Sequence, residues 1–185
     1  MENGLEKARL TLPVSDRDRA LGSLDATVVL VEYGDYESAN CREVYCALRD
    51  IYQWLSNGFC LVFRHFPQVD LYPNSQRAAE VAEAAGAQGQ FWQMHDYLFQ
   101  NPLALDDESL RQIAIALGLD IQKFITEIET GVHARRVLED FNSGARSGVS
   151  QPPAFFINGI RYKGALDLPN LIDAIQEAGA DMETS

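Results

Sequence analysis

The chain has 185 residues, with 15 basic against 27 acidic side chains and a formal charge of −12. Hydrophobic residues at 46% and charged residues at 23% are enough for one folded domain with a buried core, while the acidic excess excludes a surface that tracks nucleic-acid or membrane phosphates. No apolar run reaches the roughly 20 residues of a spanning helix, and the opening MENGLEKARL lacks the apolar core of a secretory signal, so a cytoplasmic address is expected.

Residues 1–26 read as a polar N-terminal extension, in which VSDRDRALGSLDA (14–26) wraps the domain before its first central strand. The run Val28-Val29-Leu30-Val31-Glu32-Tyr33 is apolar on both faces and β-branched, as in a central strand covered on both sides. Cys41, Val44, Leu48, Ile51 and Leu55 then share one helical stripe, stopped by Asn57-Gly58. Phe59 to Phe66 is strand-like again and closes at Pro67, which completes a βαβ unit over 27–67.

From 68 to 147 the pattern is helical throughout. Asn74 is placed to cap a helix burying Ala78, Val81, Ala82 and Ala85, with Gly86 as its end. Phe91, His95, Leu98 and Phe99 form the next stripe, with Met94 beside it. Asp106, Asp107 and Glu108 favour the first turn of a helix carrying Leu110, Ile113, Ala114 and Leu117. Asp120 and Gly131 bracket another, and a last one runs through Val137, Leu138 and Phe141 to about Gly148. Over 148–179 strand character returns in Ala154 to Ile157 and Ile160 to Tyr162, separated by Asn158-Gly159, a dipeptide suited to a turn with two positive φ values. A helix capped by Asp167 and stopped by Gly179 follows, and 180–185 reads as an acidic, solvated tail. The order βαβ, helices, ββα specifies an α/β fold with a four-stranded mixed sheet and an inserted helical subdomain.

The three cysteines are Cys41, Cys46 and Cys60, an odd number that favours free thiols. His65, His95 and His133 are scattered, with no metal-ligand spacing, so no metal is expected. Cys60 falls in a central strand as a small core residue. Cys46 falls on the polar face near Arg42, Arg49 and Gln53, roughly 8–9 Å from Cys41 along the helix, too far for a disulfide. Arg64 and Arg161, in strands, read as edge or surface residues, and the two strand and helix histidines, His65 and His95, as satisfied structural groups.

The segment Glu32-Tyr33-Gly34-Asp35-Tyr36-Glu37-Ser38-Ala39-Asn40-Cys41 resembles the active-site strand and helix start of DsbA-like thioredoxin-fold thiol–disulfide oxidoreductases. Arg64-His65-Phe66-Pro67, Phe91 to Asp96, and Arg146-Ser147-Gly148-Val149 leading to Pro153-Ala154-Phe155-Phe156-Ile157-Asn158-Gly159 match the same family in the same order. The resemblance implies a thioredoxin-like fold and a site made of residues 38–41, Glu32 and the Pro152-Pro153 loop. Family members carry Cys-x-x-Cys where this chain has Ser38-Ala39-Asn40-Cys41. The first cysteine is the nucleophile there, its thiolate stabilised by the helix N-terminus. A serine hydroxyl is too weak an acid to replace it and cannot enter a disulfide, so the ordinary two-thiol cycle has no route through this motif.

Glu32 matches the buried acid that in the family is thought to shuttle the proton of the second cysteine, here Cys41. Pro153 matches the family's cis-proline. The residue before it ordinarily offers a backbone N–H and C=O to a bound peptide, and here Pro152 has no N–H. The resulting expectation is a family member impaired in dithiol–disulfide exchange, with Ser38, Cys41 and Glu32 as the chemical residues and Ala39, Asn40, Pro152 and Pro153 facing substrate. The alternative is monothiol chemistry at Cys41, or glutathione bound with Ser38 donating to its thiolate, as in kappa-type glutathione transferases. Protein or peptide thiols, or glutathione, are the partners these two readings imply. Nucleic acid, membrane and any other cofactor are not.

Overall fold

The computed structural model describes residues 8–55 and 58–183, the last three of these without their side chains. Residues 1–7 of the expected extension, Asn57 of the expected helix stop and residues 184–185 of the expected tail lie outside the described residues.

The β-branched run near residue 30 forms β2 (Val28–Gly34), which is buried along almost its whole length because it lies at the centre of the sheet. It pairs in parallel with β3 (Phe59–His65), from Val28 opposite Phe59 to Gly34 opposite His65. On its other side it pairs antiparallel with β4 (Ala154–Ile157), Tyr33 facing Ala154. β5 (Ile160–Arg161) follows β4 through Asn158 and Gly159, whose φ angles of 47° and 77° are those the turn requires.

The sheet has five strands, one more than expected. β1 (Arg19–Leu21) pairs antiparallel with β3, giving the order β1-β3-β2-β4-β5. Three residues flanked by polar turn formers carry no alternation, which is why this strand reads as part of the wrapping segment. The same segment also reaches the opposite rim: Arg9 bridges to Ile160, Leu10 N donates to Gly159 O and Arg161 N donates to Ala8 O.

Between β2 and β3 runs α1 (Ala39–Trp54), which buries Cys41, Val44, Leu48 and Ile51 of the expected stripe and, in addition, Tyr45, while Leu55 falls at the C-cap and is half-buried. Between β3 and β4 come α2 (Ser75–Gly86), α3 (Phe91–Gln100), α4 (Asp107–Ala116), α5 (Ile121–Thr130) and α6 (Ala134–Arg146). α7 (Leu168–Glu183) closes the chain. Asp106 and Asp120 each cap by accepting from a backbone N–H three residues on, and Gly131 ends α5 at φ 63°. Asp167 does the same for α7, accepting from Asn170 N.

Several local expectations are corrected. Asn74 has helical backbone angles and makes no capping bond; its N–H and amide donate instead to the Glu37 carboxylate. Gly179 does not stop α7, which continues to Glu183, because an interior glycine costs a helix only about 1 kcal/mol. The segment expected as a tail therefore begins as helix. α6 ends at Arg146, and Leu138 on it is exposed.

The two faces of the sheet are covered differently. Val28, Leu30, Phe59, Leu61, Phe155 and Ile157 pack under α1 and α7. Val31, Tyr33, Cys60, Val62, Ala154 and Phe156 face Phe66, Phe141 and the N-terminal segment. Phe63, Tyr36, Cys41 and Tyr45 join the helices α2 to α5 in a third cluster.

Arg64 is the largest correction. It is wholly buried, not at a surface. Its guanidinium makes two bonds to Asp18, at 2.7 and 3.0 Å, and donates to the carbonyls of Leu12 and Pro13 and to Tyr33 Oη. A buried cation is tolerable only when its donors are all engaged, and here most acceptors come from the N-terminal segment.

Candidate active site

The site is assembled where β2 runs into α1. Ser38 is the N-cap: its backbone is extended at φ −70° and ψ 122°, its carbonyl accepts the first helical bond from Arg42 N, and its Oγ accepts from Cys41 N at 3.4 Å. That is the capping geometry that draws serine to helix starts. Ala39 and Asn40 follow on the exposed first turn. Cys41 points inward and is fully buried, with its Sγ accepting from Asp35 N at 3.5 Å.

Glu32 is two residues along β2 from Leu30 and lies on the same, α1-facing side of the sheet. It is 1% exposed, and its Oε1 has no hydrogen-bond partner. Burial without compensation pushes its carboxyl up to about 8, so it is protonated at neutral pH. Burial is also the main reason that the Cys41 thiol is pushed up to about 12, with repulsion from Glu32 next; the bonds from Asp35 N and Ser38 oppose the rise. The helix N-terminus therefore does not make Cys41 a thiolate.

Pro152 and Pro153 immediately precede β4. Because Ala154 faces Tyr33, the register places this loop at the end of β2 from which Ser38 follows. The Pro152–Pro153 peptide bond is cis; Pro152 is buried and Pro153 half-buried. The fold thus gathers Glu32, Ser38, Cys41 and the proline pair at one end of the sheet, with Ala39 and Asn40 on its outer rim. A groove of about 470 Å³ runs beside Asn40, bounded by Glu43, Val44, Leu166, Asp167 and Leu168.

Asp35 was not among the sequence candidates, yet it holds the turn together. Its two carboxylate oxygens accept from Ser75 Oγ, Gln68 N and Glu37 N at 2.7–3.0 Å. Burial raises its pKa and these bonds oppose the rise. The available signal was an acid directly after the strand-ending Gly34. At Gly34 itself an added Cβ would lie 2.4 Å from the Phe63 ring, so the close approach of strand and core requires glycine there.

The other thiols stand apart. Cys60 is buried on the opposite side of the sheet, and Cys46 is exposed on α1. Among the described residues no group of three His, Cys, Asp or Glu side chains could hold a metal ion, and no helix is long and apolar enough to cross a membrane.

A family model described as a DSBA-like thioredoxin domain matches residues 48–176. This chain belongs to the DsbA-like thioredoxin domain family. The matched span begins within α1, after Cys41, so it speaks for the fold rather than for the Ser38–Cys41 motif. Among solved structures, BdbD from Bacillus subtilis superposes with a TM-score of 0.81 at 19% identity, over 94% of this chain and 99% of that one. A thioredoxin-like oxidoreductase from Silicibacter pomeroyi gives 0.76 at 23% identity, over 89% and 93%. At those identities the likeness is one of fold.

Curated relatives are nearer in sequence and much longer. The Na(+)/H(+) antiporter NhaA 1 of Salinispora arenicola is 39% identical over 92% of this chain, which covers 26% of that protein. The protein of that name in Mycobacterium sp. strain KMS is 38% identical over 94% of this chain, which covers 29% of it. The DsbA-like chain thus spans about a quarter of the length of the curated relatives it matches.

Proposed function

We propose that this is a DsbA-like protein impaired in dithiol–disulfide exchange, in which the usual site survives as a peptide-facing surface around one protected thiol. The observation that carries the reading is Ser38 at the N-cap of α1. Its oxygen occupies the helix start, already accepts from Cys41 N, and cannot form a mixed disulfide. The remaining thiol supports the same conclusion, being buried and held far above neutral pH. Pro152, which lacks an N–H, removes one of the main-chain bonds a peptide strand would use. Protein or peptide thiols would be met at the groove beside Asn40.

The test is catalytic turnover. Reduction of insulin, or oxidation of a dithiol peptide, should proceed no faster than with Cys41→Ala; rates well above that control would overturn the proposal. Ser38→Cys should then form a reversible disulfide with Cys41, measurable as a redox potential, because Glu32, the cap and the proline loop are all in place.

Glutathione binding at Ser38 is the second reading. It is favoured by the Ser38 hydroxyl proton, for which no acceptor is found among the described residues. A Ser38-dependent conjugation activity would establish it, and an absence of binding at millimolar glutathione would remove it. In the antiporter relatives we read ion exchange as belonging to the other three quarters of the chain, with this module beside it. A cytoplasmic location remains part of the same proposal.

A further inference from the structure

An aromatic cleft lies apart from the Ser38 site. It opens on the flank where α1 and α3 diverge over β1 and β3, with a volume of about 340 Å³. Tyr45, Tyr52 and Trp92 form its aromatic walls, and Leu21, Leu48 and Leu61 its floor. Such concavities, apolar with a few placed polar groups, are what small-molecule sites are built from.

The walls are fixed before any ligand arrives. The Tyr45 ring stacks on Phe99 at 5.0 Å, and its hydroxyl donates to Asp96 Oδ1 at 2.8 Å and accepts from Gln100. Trp92 packs edge-on against His95 at 5.0 Å, and its indole N–H donates to Ala20 O at 3.0 Å. Prior ordering of this kind lowers the entropic cost of binding. The polar groups at the rim are Arg49, Gln53, Gln93 and Asp96. Asp96 is engaged by Tyr45. Arg49 lies 5.8 Å from the Tyr45 ring centroid and, among the described residues, makes no ion pair. In a chain of net charge −12, Arg49 is the one arginine or lysine among the described residues that line the cleft.

We propose that this cleft binds a small aromatic anion, its ring lying between Tyr45, Tyr52 and Trp92 and its carboxylate or sulfonate paired with Arg49. Guanidinium suits both halves of that ligand, since it stacks on rings and pairs with planar oxyanions. The site is separate from the Ser38 chemistry and does not depend on it.

Two probes with the same ring system separate the contributions: 1-anilinonaphthalene-8-sulfonate, and the uncharged N-phenyl-1-naphthylamine. The chain has two tryptophans, so Trp54→Phe leaves Trp92 as the sole energy-transfer donor. Titrated into this variant, the sulfonate should bind at one saturable site with transfer from Trp92. Arg49→Gln should weaken the sulfonate about fivefold and leave the neutral probe unchanged, with the circular dichroism spectrum and unfolding midpoint of the parent. Binding without transfer from Trp92, no saturable site, or equal affinity for the sulfonate with and without Arg49 would each overturn the proposal. The arginine exchange lies on an exposed helix face, so loss of folding does not confound it.

Discussion

Two glutamates are buried in this molecule to the same degree, and their surroundings make them opposites. Glu32 and Glu83 are each 1% exposed. Glu83, on α2, accepts from His65 Nε2 at 3.0 Å and from the Arg19 guanidinium, a pair of donors drawn from β3 and β1. Those donors outweigh burial and hold its pKa well below the usual carboxylate range, so it is charged. Asp140 extends the network by accepting from His65 N and pairing with Arg136. Glu32 has no such donor at Oε1, and burial alone keeps its proton on to about 8. Partners, not depth, decide whether a buried acid ties elements together or stands ready to exchange a proton.

The sharpest way to break this comparison is at the network. Glu83→Gln leaves buried His65 and half-buried Arg19 without their carboxylate and should cost about 3 kcal/mol, read as a fall in the urea midpoint. Glu32→Gln should do the reverse at alkaline pH. Between the ordinary 4.5 and about 8 the folded chain holds a proton at Glu32 that the unfolded chain has lost, so folding stability falls as pH rises through that window and levels off above it. The variant removes this slope and should exceed the parent by about 2–4 kcal/mol near pH 9. Glu83 has the opposite sign: its contribution is present above its unfolded pKa and is lost as pH falls below it.

Smaller effects probe the helix start. Ser38→Ala removes the cap to Cys41 N and should cost about 1 kcal/mol, seen as a lower melting temperature. A thiol reagent should modify exposed Cys46 quickly at pH 8 and reach Cys41 and Cys60 only in urea. The smallest expected change is in the Cys41 titration of Glu32→Gln. It should move down only modestly, because burial rather than the carboxylate is the larger cause of its high pKa.

Most of the architecture was legible because it depends on local pattern. The doubly apolar run 28–33, the stripe of α1 and the Asn158-Gly159 turn each carry their own period or turn chemistry, and together they order the sheet. What the sequence concealed depends on distant partners. β1 is too short to alternate and exists because β3 offers it an edge. Arg64 looks like a surface cation until Asp18, Leu12 and Pro13 fold over it from 46 to 52 positions away. Of the site, Ser38, Cys41, Glu32 and the proline pair could be named from motif resemblance, whereas Asp35 owes its role to Ser75 and Gln68, which no nearby spacing reveals.

The N-terminal segment has a consequence for solubility. Residues 8–10 lie along the outer side of β5 and residues 19–21 along that of β3, while Arg64 clamps the stretch between them. One short piece of chain thus covers the border of β3 with the three-residue β1 and bridges the border of β5, so that both longer borders are occupied by the same segment. Trimming to residue 22 would uncover both borders at once and strand the Arg64 charge, and such a protein should associate into β-rich aggregates rather than simply melt earlier.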